Sequence, residues 1–154
     1  MPKFPPVFHH VGIQTNDLDN SMLWYQDFFG CCCSWTQTTF SELTRRRLPG
    51  IVRLVEMVVG DIRIHLFERQ GRAARGHGDS AVQFQHVCMA VDSGDELLGW
   101  REKWLGLYSS GSYTFAFDDQ PTEIVVDADG TRSFYALDVN GLEFEFTCPP
   151  SPVG

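Results

Sequence analysis

Apolar and polar residues alternate along several short stretches of the chain, and this period of two predicts strands. In the first half, a longer stretch with apolar residues at helical spacing follows the helix-capping pair Asn16-Asp17 and ends at Gly30. The predicted strands of this half are Phe8–Thr15, Cys31–Thr39, Ile51–Val59 and Ile62–Glu68. Phe40–Gly50, polar and basic, is predicted as a loop and turn. The first half therefore has the order βαβββ.

The second half repeats this order. Phe84–Val91 predicts a strand, and Ser93 caps a helix whose apolar side includes Leu97 and Trp104. Leu107–Pro121 gives no clear periodicity and is predicted as a loop with a short strand. Three more strands are predicted at Glu123–Val126, Thr131–Leu137 and Leu142–Thr147, with Asn140-Gly141 as the hairpin signal between the last two.

The two halves also repeat in sequence. A shift of 76 positions places Phe8–Gly30 on Phe84–Gly106 without a gap and matches His10 with His86, so both copies read as a strand, a turn, a helix and a closing glycine. Such self-similarity indicates two copies of one supersecondary unit. We therefore predict an α+β fold of two tandem βαβββ modules whose curled sheets enclose a metal-containing cavity, with the helices outside. The predicted organisation is one domain, 1–154, with modules at 7–69 and 83–148 and a linker at 70–82.

Composition limits the classes of partner. The chain has 154 residues and a net charge of -8, which argues against nucleic acid or an anionic membrane surface as the partner. No apolar run approaches the roughly 20 residues of a membrane span, and Met1–Pro6 lacks the apolar core of a secretory signal. Five cysteines, three of them adjacent, do not form a secreted disulfide framework. These features predict a cytoplasmic protein.

Strand alternation selects the residues that face the cavity. His10 shares a face with Gly12 and Gln14, whereas His9 lies on the opposite, apolar face. His86 occupies the matching position in the second module.

The terminal strands of the modules add two more inward groups. Aligning the hairpin turns of the two modules shifts the offset to 80, which matches His65 with Glu145. Four polar groups are thereby predicted to face inward, and together imidazole and carboxylate suit a first-row divalent metal such as Fe, Mn, Co, Ni or Zn. We predict one such ion per chain, bound by His10, His65, His86 and Glu145.

Two segments resemble the vicinal oxygen chelate superfamily, which includes glyoxalase I, methylmalonyl-CoA epimerase, extradiol dioxygenases and fosfomycin and bleomycin resistance proteins. They are Phe8–Gly30 and Ser133–Glu145. The resemblance covers nearly the whole chain and departs from the family's usual turn at Val139 and Leu142, which replace Pro and Asn.

The resemblance places His10, His86 and Glu145 on widely shared metal positions and His65 where glyoxalase I and the epimerase use Glu or Gln. It also implies a homodimer. If His65 binds the metal, isomerase, epimerase or lyase chemistry is favoured; if it only forms a hydrogen bond, oxygenase chemistry remains open.

The leading hypothesis is an isomerase or lyase that acts on a small oxygen-chelating substrate through an enolate-like intermediate. Glu143 is the first candidate for the general base, or else a salt-bridge partner, and Glu145 is the alternative base. Tyr135 either orients the substrate or packs the sheet. Two rival hypotheses are a non-haem Fe(II) ring-cleaving dioxygenase and a metal-free protein that binds a hydrophobic natural product.

Overall fold

The computed structural model describes residues 8–71 and 86–150. The chain divides into two compact units, Met1–Ala73 and Ala74–Gly154. The boundary between them lies within the range 70–82 that the sequence predicted as a linker. No helix among the described residues is long and apolar enough to span a membrane.

The first unit is a four-stranded mixed sheet with two helices. Its strands run in the order β1-β4-β3-β2; β1 is parallel to β4, and the other neighbours are antiparallel. The elements are β1 (Val11–Thr15), α1 (Leu18–Phe29), β2 (Cys32–Gln37), α2 (Glu42–Arg47), β3 (Ile51–Val59) and β4 (Ile62–Arg69).

The second unit has the same topology. Its strands run in the order β5-β8-β7-β6, again with the first pair parallel and the others antiparallel. The elements are β5 (His86–Ala90), α3 (Gly94–Ser109), β6 (Val125–Val126), β7 (Arg132–Leu137) and β8 (Glu143–Cys148). The predicted fold class, α+β with two tandem βαβββ modules, is confirmed, and both sheets are open.

Helix α1 begins and ends as the sequence predicts. The Asp17 side chain accepts a hydrogen bond from the Asn20 backbone N–H at 3.1 Å, and Gly30 ends the helix in the left-handed conformation with φ of 77°. Trp24 and Phe28 are buried and stack at 4.7 Å on the side of α1 that faces β3 and β4. Burial of these large rings anchors the helix to its sheet.

Helix α3 covers the second sheet in the same way. Leu97 and Trp104 are fully buried, and the Trp104 indole N–H donates to the Leu137 carbonyl oxygen at 2.8 Å. The closing role predicted for Gly106 is wrong, because α3 continues to Ser109. The reason is packing beyond the glycine: Tyr108, one turn after Trp104, stacks on its ring at 5.2 Å.

Two segments differ from the sequence prediction. The region predicted as a loop at Phe40–Gly50 contains α2, whose N-cap Ser41 accepts from the Thr44 backbone N–H at 3.1 Å. None of the α2 residues is buried, so the helix lacks the apolar stripe by which a sequence reveals one. In the region Leu107–Pro121, the structure continues α3 and then forms no strand.

Burial alternates along β8 and separates its two faces. Phe144 and Phe146 are buried, and Phe146 stacks on Phe134 of β7 and on Trp100 of α3 at 5.0 and 5.4 Å. The intervening Glu143 and Glu145 are half-buried on the opposite face. One face of this sheet therefore packs under the helix and the other presents the polar groups.

Candidate metal centre

The second unit brings His86 and two glutamates together through the parallel pairing of β5 and β8. His86 is paired in register with Glu143, and Cys88 with Glu145. The His86 Nε2 atom lies 3.0 Å from Glu145 Oε2, and its Nδ1 atom lies 3.7 Å from Glu143 Oε1. The imidazole thus has a carboxylate beside each ring nitrogen.

Tyr135 joins this group from β7, where it is the antiparallel partner of Glu145. Its hydroxyl donates to Glu145 Oε1 at 3.2 Å, and its ring lies edge-on to His86 at 5.8 Å. Desolvation, followed by the negative charge of Glu145, raises the pKa of Tyr135 above its usual value. The hydroxyl therefore stays protonated and acts as a donor to the carboxylate.

Cys88 lies on the same face, next to Glu145 in register. Desolvation and the hydrogen bond to Glu145 raise the pKa of the Cys88 thiol to about 11. The thiol is thus neutral at physiological pH and contributes no thiolate charge to the group.

The first unit brings three histidines together. His10 stacks on His65 with ring centroids 3.7 Å apart, and His9 Nδ1 lies 2.9 Å from His10 Nδ1. One ligand atom from each of these residues lies within 4.8 Å of the others. The sequence interpretation that His9 faces away is wrong: β1 begins at Val11, so the alternation of a strand does not apply at His9 and His10.

The pKa of His10 is lowered by desolvation, then by the neighbouring His65 and His9, with Glu56 acting in the opposite direction. A lowered pKa keeps the imidazole neutral at physiological pH. The neutral imidazole has the lone pair that a metal ligand needs.

Glu56 of β3 is the residue that the sequence analysis missed. It is paired in register with His65, is 3% exposed, and lies with its Oε2 atom 3.0 Å from His65 Nε2. Its Oε1 atom accepts from the Ser34 hydroxyl at 2.6 Å and from Arg63 Nη1 at 3.2 Å. The Ser34 hydrogen bond, the His65 hydrogen bond and the Arg63 charge lower the pKa of Glu56 to about 2, so the carboxylate is ionised. A signal was present, since one carboxylate within the apolar run Ile51–Val59 must be paired when that strand is buried.

Strand registers agree with both offsets of the internal repeat. Gly12 is paired with His65 in the first sheet, and Cys88 with Glu145 in the second. Cys88 is 76 positions after Gly12, and Glu145 is 80 positions after His65. His65 and Glu145 therefore occupy equivalent places in their own sheets.

The donor chemistry of each unit fits a divalent metal. Two ligand atoms at about 2.1 Å from one ion and at a right angle would lie about 3.0 Å apart, which is the separation of His86 Nε2 and Glu145 Oε2. The first unit supplies imidazole nitrogens of His9, His10 and His65. Imidazole and carboxylate together suit Fe, Mn, Co, Ni or Zn.

Solved structures of similar fold come from several bacteria. A glyoxalase family protein from Enterococcus faecalis is 16% identical, with a TM-score of 0.68 over 94% of this chain and 99% of that one. A lactoylglutathione lyase from Agrobacterium tumefaciens is 22% identical, with a TM-score of 0.58 over 94% and 95%. A fosfomycin resistance protein from Listeria monocytogenes, in complex with Mn(II) and sulfate, is 13% identical, with a TM-score of 0.58 over 97% and 96%. Comparison with the sequences of curated proteins finds no significant match.

At these sequence identities the solved structures support only the fold. The assignment to a family comes from the comparison of the sequence with family profiles. The profile of one protein family matches residues 7–146, which is most of the chain and extends from before β1 into β8. The chain belongs to the Glyoxalase/Bleomycin resistance protein/Dioxygenase superfamily.

Proposed function

We propose that the protein is a divalent-metal-dependent enzyme that isomerises, epimerises or cleaves a small oxygen-chelating substrate through an enolate-like intermediate. The observation that carries this proposal is the His86–Glu145 pair, at 3.0 Å, with Tyr135 hydrogen-bonded to the same carboxylate. The similar solved structures include a lactoylglutathione lyase and a fosfomycin resistance protein in complex with Mn(II). Family membership and these side chains support the proposed substrate class and metal requirement.

The residues that would hold the ion are His10 and His65 of the first unit and His86 and Glu145 of the second. When bound, a divalent ion supplies Lewis-acid stabilisation of negative charge on substrate oxygen.

Glu143 is the proposed general base. Its side chain is 38% exposed and its carboxylate lies 3.7 Å from His86 Nδ1, so it is oriented by the imidazole while remaining accessible to a substrate proton. Glu145, 16% exposed and held by Tyr135, is the alternative base. Tyr135 is assigned an orienting role, first toward the Glu145 carboxylate and then toward substrate.

Metal content tests the proposal. Protein purified without chelator and analysed by mass spectrometry should contain about one divalent ion per chain, and His65→Ala and Glu145→Ala should each lose it. The matched control is Glu123→Ala, which removes a glutamate that is 88% exposed and paired with Arg101; it should keep the metal. Wild-type protein that binds none of the offered divalent metals would exclude the catalytic proposal and favour the metal-free binding protein.

Proton transfer tests the reaction class. Turnover of chelating carbonyl substrates in deuterium oxide should place solvent deuterium next to the carbonyl, and Glu143→Gln should slow this exchange by about 10²–10⁴-fold. Turnover without any exchange would remove proton abstraction from the mechanism.

A second function, Fe(II)-dependent ring cleavage, is favoured by one observation. His65 already forms a hydrogen bond with Glu56 at 3.0 Å, and a histidine held in this way without binding the metal would leave a three-ligand site of His10, His86 and Glu145. In that case His65→Ala keeps the metal, whereas Glu145→Ala loses it. Oxygen consumption with an aromatic diol, only in the presence of Fe(II), would establish this activity, and turnover without oxygen would exclude it.

The proposal includes a homodimer in the cytoplasm. Light scattering on the purified protein should give twice the mass of the 17.4 kDa chain. A monomeric mass would remove the dimer from the proposal.

A further inference from the structure

Each proposed ligand on a terminal strand faces a polar partner on the neighbouring strand. In the first unit, His65 of β4 is paired in register with Glu56 of β3. In the second unit, Glu145 of β8 is paired with Tyr135 of β7. Each partner matches the hydrogen-bonding capacity of its ligand. The His65 imidazole faces an acceptor, the Glu56 carboxylate, and the Glu145 carboxylate faces a donor, the Tyr135 hydroxyl.

An acceptor beside an imidazole decides which nitrogen carries the proton. An ionised carboxylate can only accept, so Glu56 Oε2 at 3.0 Å requires the proton of a neutral His65 to be on Nε2. The Nδ1 atom then keeps its lone pair and can bind a metal.

Glu56 is fixed from its other side. Its Oε1 atom accepts from Ser34 and from Arg63, so both carboxylate oxygens have protein donors and the Arg63 guanidinium balances the charge. A buried carboxylate with donors on both oxygens is held in place and is not free to become a ligand itself.

The ring of His65 is fixed as well. It stacks on His10 at 3.7 Å with an interplanar angle of 12°, and the Trp35 ring meets it edge-on at 5.1 Å. Its side chain is 10% exposed. With the ring plane held by aromatic neighbours and Nε2 held by Glu56, the direction of Nδ1 is determined.

We propose that Glu56 is a positioning residue that keeps His65 in the Nε2–H tautomer and so makes Nδ1 its metal-binding atom. The metal part of this inference rests on the proposed function, whereas the tautomer is a property of the metal-free protein. The two are therefore tested by separate measurements.

Long-range ¹H–¹⁵N correlation spectra of ¹⁵N-histidine-labelled, chelator-treated protein at pH 8 test the tautomer. The His65 signals are assigned by their loss in His65→Ala. In wild type they should show a protonated Nε2 and an unprotonated Nδ1. A wild-type His65 protonated on Nδ1, or on both nitrogens, would overturn the proposal.

The variant Glu56→Gln tests the tautomer more directly than Glu56→Ala, because it reverses the hydrogen bond to His65. Arg63 can only donate, so the amide oxygen should stay toward Arg63 and Ser34, and the NH₂ group should face His65. The amide then donates to Nε2, and the proton of His65 should move to Nδ1. Glu56→Ala, which has no polar group there, should give a mixture of both tautomers. Unchanged His65 signals in both variants would contradict the positioning role.

Metal affinity gives the second readout. Competition with a coloured chelator for Co(II) or Zn(II) should show affinity reduced by about 10–100-fold in Glu56→Gln. The matched control is Glu68→Gln. Glu68 also lies on β4, but its carboxylate accepts a hydrogen bond from Arg53 Nε at 3.1 Å instead of contacting His65. This variant should bind metal like wild type. A tautomer change with unchanged affinity would overturn the metal part of the inference. If wild type binds no metal, the proposed function fails while the spectra still decide the tautomer.

Discussion

The three adjacent cysteines, Cys31, Cys32 and Cys33, differ in their exposure to solvent. Cys31 precedes β2 and is 1% exposed, whereas Cys32 and Cys33 lie in the strand and are exposed. Desolvation, together with the adjacent Cys32, raises the pKa of the Cys31 thiol to about 11. Burial and the raised pKa therefore lower the reactivity of the Cys31 thiol, because the thiolate is the reactive form.

We expect iodoacetamide at pH 8 to alkylate Cys32 and Cys33 well before Cys31. A raised pKa means less thiolate at any pH below it, so Cys31 should gain reactivity only as the pH rises from 9 toward about 11. Fragmentation mass spectrometry of the peptide that contains all three measures each site. In guanidinium chloride all three should react alike, and equal rates in the folded protein would contradict the prediction.

At the scale of the helices and strands, two glycines at repeat-equivalent positions have different roles. Gly30 ends α1 with φ of 77°, and apart from its neighbours in the chain no heavy atom lies within 4 Å of the place where a Cβ would be. Gly106 lies inside α3, has no positive φ, and is equally open around its Cβ position. Steric space is thus the same at both positions, and only the backbone conformation differs.

Replacing each glycine with alanine should change stability in opposite directions. Gly30→Ala forces a Cβ into the left-handed conformation and should lower the free energy of unfolding by about 1–2 kcal/mol. Gly106→Ala should raise it by about 0.5–1 kcal/mol, because alanine favours a helix interior. Thermal unfolding followed by circular dichroism should show shifts of about 2–4 °C per kcal/mol. A lower melting temperature of Gly106→Ala would contradict the helical role of Gly106, and a higher one of Gly30→Ala would contradict the left-handed conformation of Gly30.

For the whole molecule, the proposed ligands are divided equally between the two units. His10 and His65 belong to one, and His86 and Glu145 to the other. An ion that binds only the folded protein stabilises it by mass action, by about 2.7 kcal/mol at 100 times its dissociation constant.

Saturating metal should therefore raise the melting temperature by roughly 5–10 °C for a chain of this length. If one ion uses ligands of both units, His65→Ala and Glu145→Ala should each remove most of this rise. Two ions per chain, with each variant losing one, would instead assign a separate metal to each unit. Glu123→Ala serves again as the control and should behave like wild type.

The organisation of the fold could be predicted from the sequence because it depends on local patterns and on repetition. Alternation and runs of β-forming residues predicted the strands of both sheets. The Asn16-Asp17 and Ser93 caps predicted the starts of the two main helices, and the repeat predicted the tandem units. Helix α2 was not predicted because it buries none of its residues and so shows no apolar stripe. The end of α3 was predicted too early because the stacking of Tyr108 on Trp104 extends the helix beyond Gly106.

By itself, the sequence determined which residues repeat, and this repeat together with strand alternation selected His10, His65, His86 and Glu145 as the proposed ligands. Only the tertiary structure decided what lies beside them. Glu56 reaches His65 because β3 and β4 are paired in one register, and His9 joins His10 because β1 begins at Val11, three residues later than the pattern indicated. The physical reason is that alternation gives the face of a residue, whereas its hydrogen-bond partner on the next strand depends on strand order and register, which follow from packing of the whole sheet.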